Sequence, residues 1–323
     1  MYNKLSKRIL IIGGSGLIGS SLTKKCKELN LNYKSTYYSN RIYETQEKFD
    51  LNDLSEIHKL VKEDDVVIFC SALANPNFVF KNQDQAYDFN VNKTINFINS
   101  IKDKINRFIF LSSVEVFDGN KGNYSEKDKK NPLNFYGQTK FEVENFIIGN
   151  LRNYTIIRTG WNTSMKFKDR CVIKLTYETL LKDDAKMASD NYFSITNVDD
   201  FSSNLLNIIG DLDDNILHLA QNQKISRVQL ADIIINKSIL KSQMKYQKVK
   251  FSEIKFNEPR SRLNDLNTEL SQDKYKVNFT DIFKTIEQKI DIIDSNFKEW
   301  NMKDIIRNKE NLASFNSNIF KKL

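Results

Sequence analysis

The 323-residue chain reads as an α/β protein: a doubly wound parallel sheet followed by a smaller mixed α/β region. Three observations predict this. Through the first half, short β-rich apolar runs alternate with longer segments of helical apolar spacing, the pattern of parallel strands covered on both faces. Four of only ten glycines, Gly13, Gly14, Gly16 and Gly19, gather where the first such strand meets the first such helix. Apolar residues make up 40% of the chain, enough for a sizeable core.

The elements follow in order. Residues 8–12 (Arg-Ile-Leu-Ile-Ile) form a buried strand, and 17–29 repeat apolar residues at helical spacing. A strand over 33–38, a helix over 55–61, a strand over 65–70 and a long helix over 85–101 come next. A strand over 107–111, a helix over 135–148 and a strand over 154–158 complete residues 1–160 as a dinucleotide-binding domain, to which a strand near 215–220 can be added. After Gly160 the rhythm changes. Helices near 171–181, 198–209, 228–240 and 282–293, with an alternating strand over 244–251, mark residues 161–300 as a substrate-binding domain. Residues 301–323 are polar and read as a peripheral tail.

Composition narrows the function. Lys and Arg number 49 against 41 Asp and Glu, a net charge of +8 that is spread along the chain. That suits an anionic small ligand and not a nucleic-acid stripe. Three cysteines without CxxC spacing and two histidines predict neither disulfides nor a metal centre. No signal-type segment and no membrane-length apolar run is present, so the expectation is a cytoplasmic protein away from the membrane.

Gly13-x-x-Gly16-x-x-Gly19 stands between a strand and a helix. Gly13 can make the tight turn, Gly16 admits a pyrophosphate close to the backbone, and Gly19 lets helix and strand pack closely. Residues Gly13, Ser15, Gly16, Leu17, Ile18 and Gly19 are therefore expected to cradle a dinucleotide in a Rossmann-type fold, the helix N-terminus facing its phosphates. Where an NAD site would place an acidic residue, the end of the second strand instead offers Ser39, Asn40 and Arg41. A guanidinium there suits a 2′-phosphate, which predicts NADP(H) over NAD(H). Ala72, after the strand over 65–70, is small enough to let the cofactor pass.

Tyr136 and Lys140 lie at i and i+4 on one helix face. A second such pair, Tyr246 and Lys250, falls in an alternating strand of the second half, away from other chemistry. Tyr136 instead follows the strand whose end delivers Ser112 and Ser113 to the ligand side of the sheet.

Glycine turn, strand-end serine and YxxxK in this order resemble the extended short-chain dehydrogenase/reductase superfamily. Within it, Val116-Phe117-Asp118-Gly119, Pro132-Leu133-Asn134-Phe135-Tyr136-Gly137-Gln138-Thr139-Lys140, Arg158-Thr159-Gly160-Trp161 and Ser261-Arg262-Leu263 look like the dTDP-4-dehydrorhamnose reductases. The resemblance is strong over residues 1–165 and patchy to about 290. It implies hydride transfer to a sugar carbonyl, with Tyr136 as proton donor, Lys140 lowering its pKa and holding the nicotinamide ribose, and Ser113 polarising the carbonyl, Ser112 being the competing choice. It further implies Asp50 and Leu51 at the adenine edge, Asn90 supporting the active-site lysine or a water, and Glu115 and Trp161 beside the sugar. Arg260 and Arg262 are placed at the diphosphate of a nucleotide sugar. Homodimers are common in the superfamily, and the resemblance allows one here.

Two departures bear on the reaction. Sugar-nucleotide dehydratases carry an acidic pair where this chain has Val114-Glu115, and valine cannot transfer a proton, so dehydration is disfavoured. The Asp190-Asn191-Tyr192-Phe193 run also differs from the reductase pattern, which leaves another 4-keto deoxysugar or a heptose as an alternative to rhamnose. Beside the reductase stand two other readings: an epimerase that retains its cofactor, and a non-catalytic NADP-binding subunit, because the regulatory partner of methionine adenosyltransferase resembles the same reductases.

Overall fold

A computed structural model describes residues 7–298. The expected peripheral tail over 301–323 lies outside the described residues. The first half runs β1 (Ile9–Ile12), α1 (Leu17–Glu28), β2 (Tyr33–Tyr37), β3 (Glu47–Lys48), α2 (Ile57–Leu60), β4 (Val66–Phe69), α3 (Pro76–Lys81), α4 (Gln83–Tyr87), α5 (Thr94–Ile101), β5 (Arg107–Ser113), α6 (Phe135–Asn150) and β6 (Tyr154–Thr159). The second continues with β7 (Trp161–Thr163), α7 (Val172–Leu180), β8 (Lys186–Ala188), β9 (Tyr192–Phe193), β10 (Ile195–Asn197), α8 (Val198–Ile208), β11 (Ile216–His218), β12 (Ile225–Ser226), α9 (Arg227–Lys237), β13 (Gln247–Val249), β14 (Leu263–Asn264), α10 (Glu269–Tyr275) and α11 (Ile282–Lys298).

Seven strands pair in the order β11-β6-β5-β4-β1-β2-β3, all parallel. Chain order reverses between β1 and β4, the switch point at whose carboxyl ends such sheets bind ligands. Period-2 alternation explains why both faces are buried. Ile9, Ile11, Val66, Ile68, Ile109 and Leu111 point to one face, where α1 and α8 contribute Leu22, Cys26, Phe201 and Leu205. Leu10, Ile12, Val67, Phe69, Phe108 and Phe110 point to the other, under Phe97, Ile98 and Ile101 of α5 and Val143 and Ile147 of α6. The strand over 216–218 joins the sheet beside β6, with Ile216 opposite Ile156.

A separate core gathers Ile173 and Tyr177 of α7, Leu230 and Ile234 of α9 and Ile286, Ile290 and Ile293 of α11. Small ribbons border it: β7 with β10, β9 between β12 and β14, and β8 with β13. The alternating run over 244–251 is shorter than its pattern predicts. Only Gln247–Val249 (β13) pair with β8, and a 3-10 turn at Phe251–Glu253 ends the run. The long helix over 85–101 is also interrupted, because Asp88–Lys93 widens into a π turn.

Candidate active site

The glycines at the end of β1 build a tight, one-sided cradle. Gly13 adopts φ +79°, and a Cβ there would lie 2.9 Å from the backbone nitrogen of Ser71, just past β4. A Cβ on Gly19 would sit 2.2 Å from the Gly13 carbonyl oxygen, so α1 packs on the turn only with glycine at that place. Gly16 differs: its missing Cβ would meet nothing within 4 Å except the Gly13 oxygen at 3.3 Å, which leaves the ligand side open. Gly16 caps α1 without a side chain, and the first turn holds no acidic residue, so the positive end of the helix is free to face an anion. Thr36, at the end of β2, braces the turn. Its hydroxyl accepts from Gly13 N at 3.1 Å and donates to the Ile11 carbonyl at 3.3 Å.

β5 delivers its two serines to different neighbours. Ser112 turns toward α6 and donates to Glu144 Oε1 at 2.5 Å. Ser113 closes the strand, accepts from Glu115 N at 3.2 Å, and hydrogen-bonds the Tyr136 side chain. Burial and the nearby Glu115 carboxylate push the Tyr136 phenol up, and the bond from Ser113 opposes them. Lys140 is buried one turn further along α6 and donates to the Leu111 carbonyl at 2.9 Å, its ammonium 4.5 Å from the Phe110 ring centroid and 5.9 Å from that of Tyr136. Burial pushes this ammonium down to about 8. Tyr136, Lys140 and Ser113 thus meet at the carboxyl edge of the sheet.

Asn90 ties the two parts together. From the π turn its amide exchanges hydrogen bonds with the backbone of Leu73, at 2.8 and 3.0 Å, and donates to Thr139 Oγ1 at 3.3 Å. The loop after β4, where Ala72 lies, is thereby held against the helix of Tyr136 and Lys140. A π turn at such a place is a common accommodation of a functional side chain.

Two buried acid clusters support the edge. Glu144 is fully buried and bound by Arg158 at 2.8 and 3.0 Å and Lys130 at 3.1 Å; burial works to raise its carboxyl, but these cations and Ser112 hold it below the ordinary range. Beside Arg158, burial pushes the His218 imidazole down to about 3, so it stays neutral. Glu115 takes Asn134 Nδ2 at 2.7 Å, Ser261 Oγ at 3.3 Å and Asn264 Nδ2 at 3.2 Å. Asn134 also caps α6 through Gly137 N at 2.8 Å. Gly137 is obligatory inside Tyr136-x-x-x-Lys140, because a Cβ would fall 2.1 Å from the Glu115 carbonyl oxygen.

The remaining expected residues are more dispersed. Ser39, Asn40 and Arg41 are exposed beyond β2, and the Arg41 guanidinium rests on the carbonyls of Tyr43 and Glu44, 6.0 Å from the Tyr37 ring. Asp50 accepts from Asn52 N at 2.9 Å, and Leu51 is buried in the core beside α5. Trp161 is half-buried and stacks on Phe193 at 4.6 Å. Arg260 donates to Asn77 Oδ1 at 2.7 Å, whereas Arg262 turns toward the Asn120 carbonyl at 3.5 Å. Thr36, Glu144, Arg227 and Glu258 join these surroundings without a sequence motif. No spacing marks them, since each meets its neighbours only after folding.

Comparison with known proteins places this geometry. The RmlD substrate binding domain family matches residues 7–294. Methionine adenosyltransferase 2 subunit beta of Bos taurus is 30% identical over 155 residues, 47% of this chain and 46% of that protein. A dTDP-4-dehydrorhamnose reductase of Mycobacterium tuberculosis is 24% identical over 161 residues, 48% of this chain and 50% of its own length. The chain thus matches about half the length of these curated relatives. The crystal structure of dTDP-4-dehydrorhamnose reductase from Bacillus anthracis, in complex with NADP, superposes with a TM-score of 0.72 at 17% identity, covering 89% of this chain and 99% of that one. Among the described residues no helix is long and apolar enough to cross a membrane. With the glycine turn, the seven-stranded order and a family match that runs almost the whole described length, this chain belongs to the RmlD substrate binding domain family and carries the extended short-chain dehydrogenase/reductase fold.

Proposed function

We propose that the protein is an NADPH-dependent reductase of the 4-keto group of a nucleotide-linked deoxy or related sugar. One observation carries the reading: Ser113, Tyr136 and Lys140 converge beside an open glycine cradle at the sheet's switch point. Residues 1–160 would hold the cofactor and residues 161–300 the sugar nucleotide.

The cradle fits a dinucleotide, since Gly16 is open on one side and α1 presents an uncapped N-terminus there. The turn from Gly13 to Gly19 would take the pyrophosphate, Ser39, Asn40 and Arg41 the adenosine ribose and its 2′-phosphate, Asp50 and Leu51 the adenine edge, and Ala72 and Lys140 the nicotinamide side. Bound NADPH supplies the hydride. Ser113 Oγ donates to the substrate carbonyl oxygen and polarises it. Tyr136, kept protonated at neutral pH by burial, gives its phenolic proton to the oxygen as negative charge develops there. The Lys140 ammonium, charged below about pH 8, stabilises the phenolate left behind. Asn134 and Glu115 hold the start of α6, and so the position of Tyr136. Arg260 and Arg262 would take the diphosphate, and Trp161 would lie against the sugar.

NADPH consumption against dTDP-, UDP- and GDP-linked 4-keto-6-deoxysugars tests this, with turnover of one of them expected. No consumption of NADPH or NADH with any would refute it. A second reading, that the chain is a subunit of a larger enzyme, rests on its 30% identity to methionine adenosyltransferase 2 subunit beta. Co-purification of a catalytic partner together with no keto-sugar turnover would favour that reading.

A further inference from the structure

Arg227, the first residue of α9, belongs to no role assigned so far. Its guanidinium carbon lies 4.8 Å from the Phe193 ring centroid and 5.1 Å from that of Trp161, over the stacked pair. One nitrogen donates to Thr176 Oγ1 at 2.9 Å, and that hydroxyl is itself fixed on the Val172 carbonyl at 2.8 Å. The backbone beneath is equally fixed: Ser226 and Gln229 form a reciprocal cap at the start of α9, so the helix end needs no anion of its own. Arginine offers five N–H donors on its guanidinium, and beyond the bond to Thr176 that group forms no ion pair or further hydrogen bond among the described residues; the backbone N–H is separately taken by the Asn191 carbonyl at 3.1 Å. Burial alone acts on it, lowering the guanidinium to about 10. A half-buried cation with no acid beside it is costly unless something else completes it.

Its location says what that is. Ser113 pairs in register with Thr159 of β6, and Trp161 stands two residues beyond Thr159. Arg227 therefore lies on the aromatic wall next to the proposed proton-transfer edge.

Resting on the reductase reading above, we propose that Arg227 is a substrate-recognition residue that takes a pair of anionic oxygens on the ligand lying against Trp161. The planar fork, pinned at one nitrogen and within about 5 Å of two ring centroids, matches a carboxylate or a phosphate bidentately. The oxygens come either from a carboxylate borne by the sugar or from its diphosphate linkage, and the choice of ligands separates these sources.

The test measures ligand affinity by calorimetry on the full chain loaded with NADP⁺, for wild type, Arg227→Gln and Arg227→Lys, using dTDP, UDP-glucose and UDP-glucuronic acid. Cofactor affinity is recorded for each protein as the folding control. Loss of about 10- to 100-fold in affinity in Arg227→Gln, partly restored in Arg227→Lys, is expected. If dTDP and both sugar nucleotides weaken together, the diphosphate is the source; if only UDP-glucuronic acid weakens, it is the sugar carboxylate. Unchanged affinity of Arg227→Gln for every ligand that wild type binds would overturn the assignment. A wild-type protein that binds NADP⁺ but none of the three ligands would overturn the nucleotide-sugar reading, and the proposal with it.

Discussion

Ser112 and Ser113 are adjacent in β5, yet the structure separates their work, and two alanine variants test that separation. Ser112 donates at 2.5 Å to a carboxylate that is fully buried. A hydrogen bond to a charged group contributes about 1.5–3 kcal/mol. Glu144 keeps Arg158 and Lys130, so Ser112→Ala removes one bond and leaves no orphaned charge. For a chain of this size that loss lowers Tm by roughly 3–6 °C. Turnover below the transition should stay within about threefold of wild type. Ser113→Ala behaves oppositely. Its hydroxyl accepts only a 3.2 Å backbone bond and meets the Tyr136 phenol, so stability changes by less than about 1 kcal/mol. Losing a donor to the developing oxyanion lowers kcat about 10²- to 10³-fold. Paired thermal melts and NADPH-oxidation assays on both variants read these quantities. If Ser112→Ala abolished turnover while folded, or Ser113→Ala reduced keto sugar at the wild-type rate, the assignment of roles would fall.

Three further outcomes are expected. Tyr136→Phe should lose at least 100-fold in keto-sugar reduction, and in the wild type kcat/KM should decline as pH rises through about 8, where Lys140 gives up its charge; a profile flat to pH 10 would contradict the role of Lys140. Arg41→Ala should raise KM for NADPH roughly 5- to 20-fold and leave KM for NADH unchanged, as steady-state kinetics with each cofactor would show. Glu258→Gln should stabilise the fold: the carboxyl is 1% exposed, it meets the Phe135 backbone but no hydrogen-bonding side chain among the described residues, and Arg260 approaches only to 3.8 Å. Burial and, secondarily, Glu115 raise its pKa against the pull of Arg260, so the folded state holds this proton more tightly than the unfolded chain does. Stability contributed at low pH is lost as pH rises through the folded value, and the gain from glutamine, about 1 kcal/mol, should therefore appear at pH 7–8 and vanish near pH 4 in urea titrations.

The sheet was legible because β1, β4 and residues 108–111 of β5 are buried on both faces and so read as unbroken apolar runs. Gly13 and Gly19 were legible because only glycine satisfies the turn and the packing of α1, and Gly16 because it completes their spacing. What escaped is short or relational. Ribbons such as β9 and β14 span two residues, too few for any period to register. The strand expected over 244–251 keeps its alternation in the sequence, but only Gln247–Val249 find a partner strand and a 3-10 turn begins at Phe251. Asn90 stood out only through the resemblance, because nothing in the helical pattern of 85–101 announces a π turn. Arg227 carries no signal at all: its meaning comes from Trp161 and Phe193, 66 and 34 positions earlier in the chain.

The ties on Glu115 also set a timetable for biosynthesis. Asn264 follows Glu115 by 149 positions, and at ordinary rates of translation that interval lasts roughly 7–30 s. During it the carboxylate has Asn134 but neither Ser261 nor Asn264. The glycine turn waits less for its own braces, since Thr36 and Ser71 precede Glu115, but α1 behind it packs on α8, which follows. A nascent chain is therefore expected to close the glycine turn first, to seat α1 on α8 next and to complete the ties of Glu115 last.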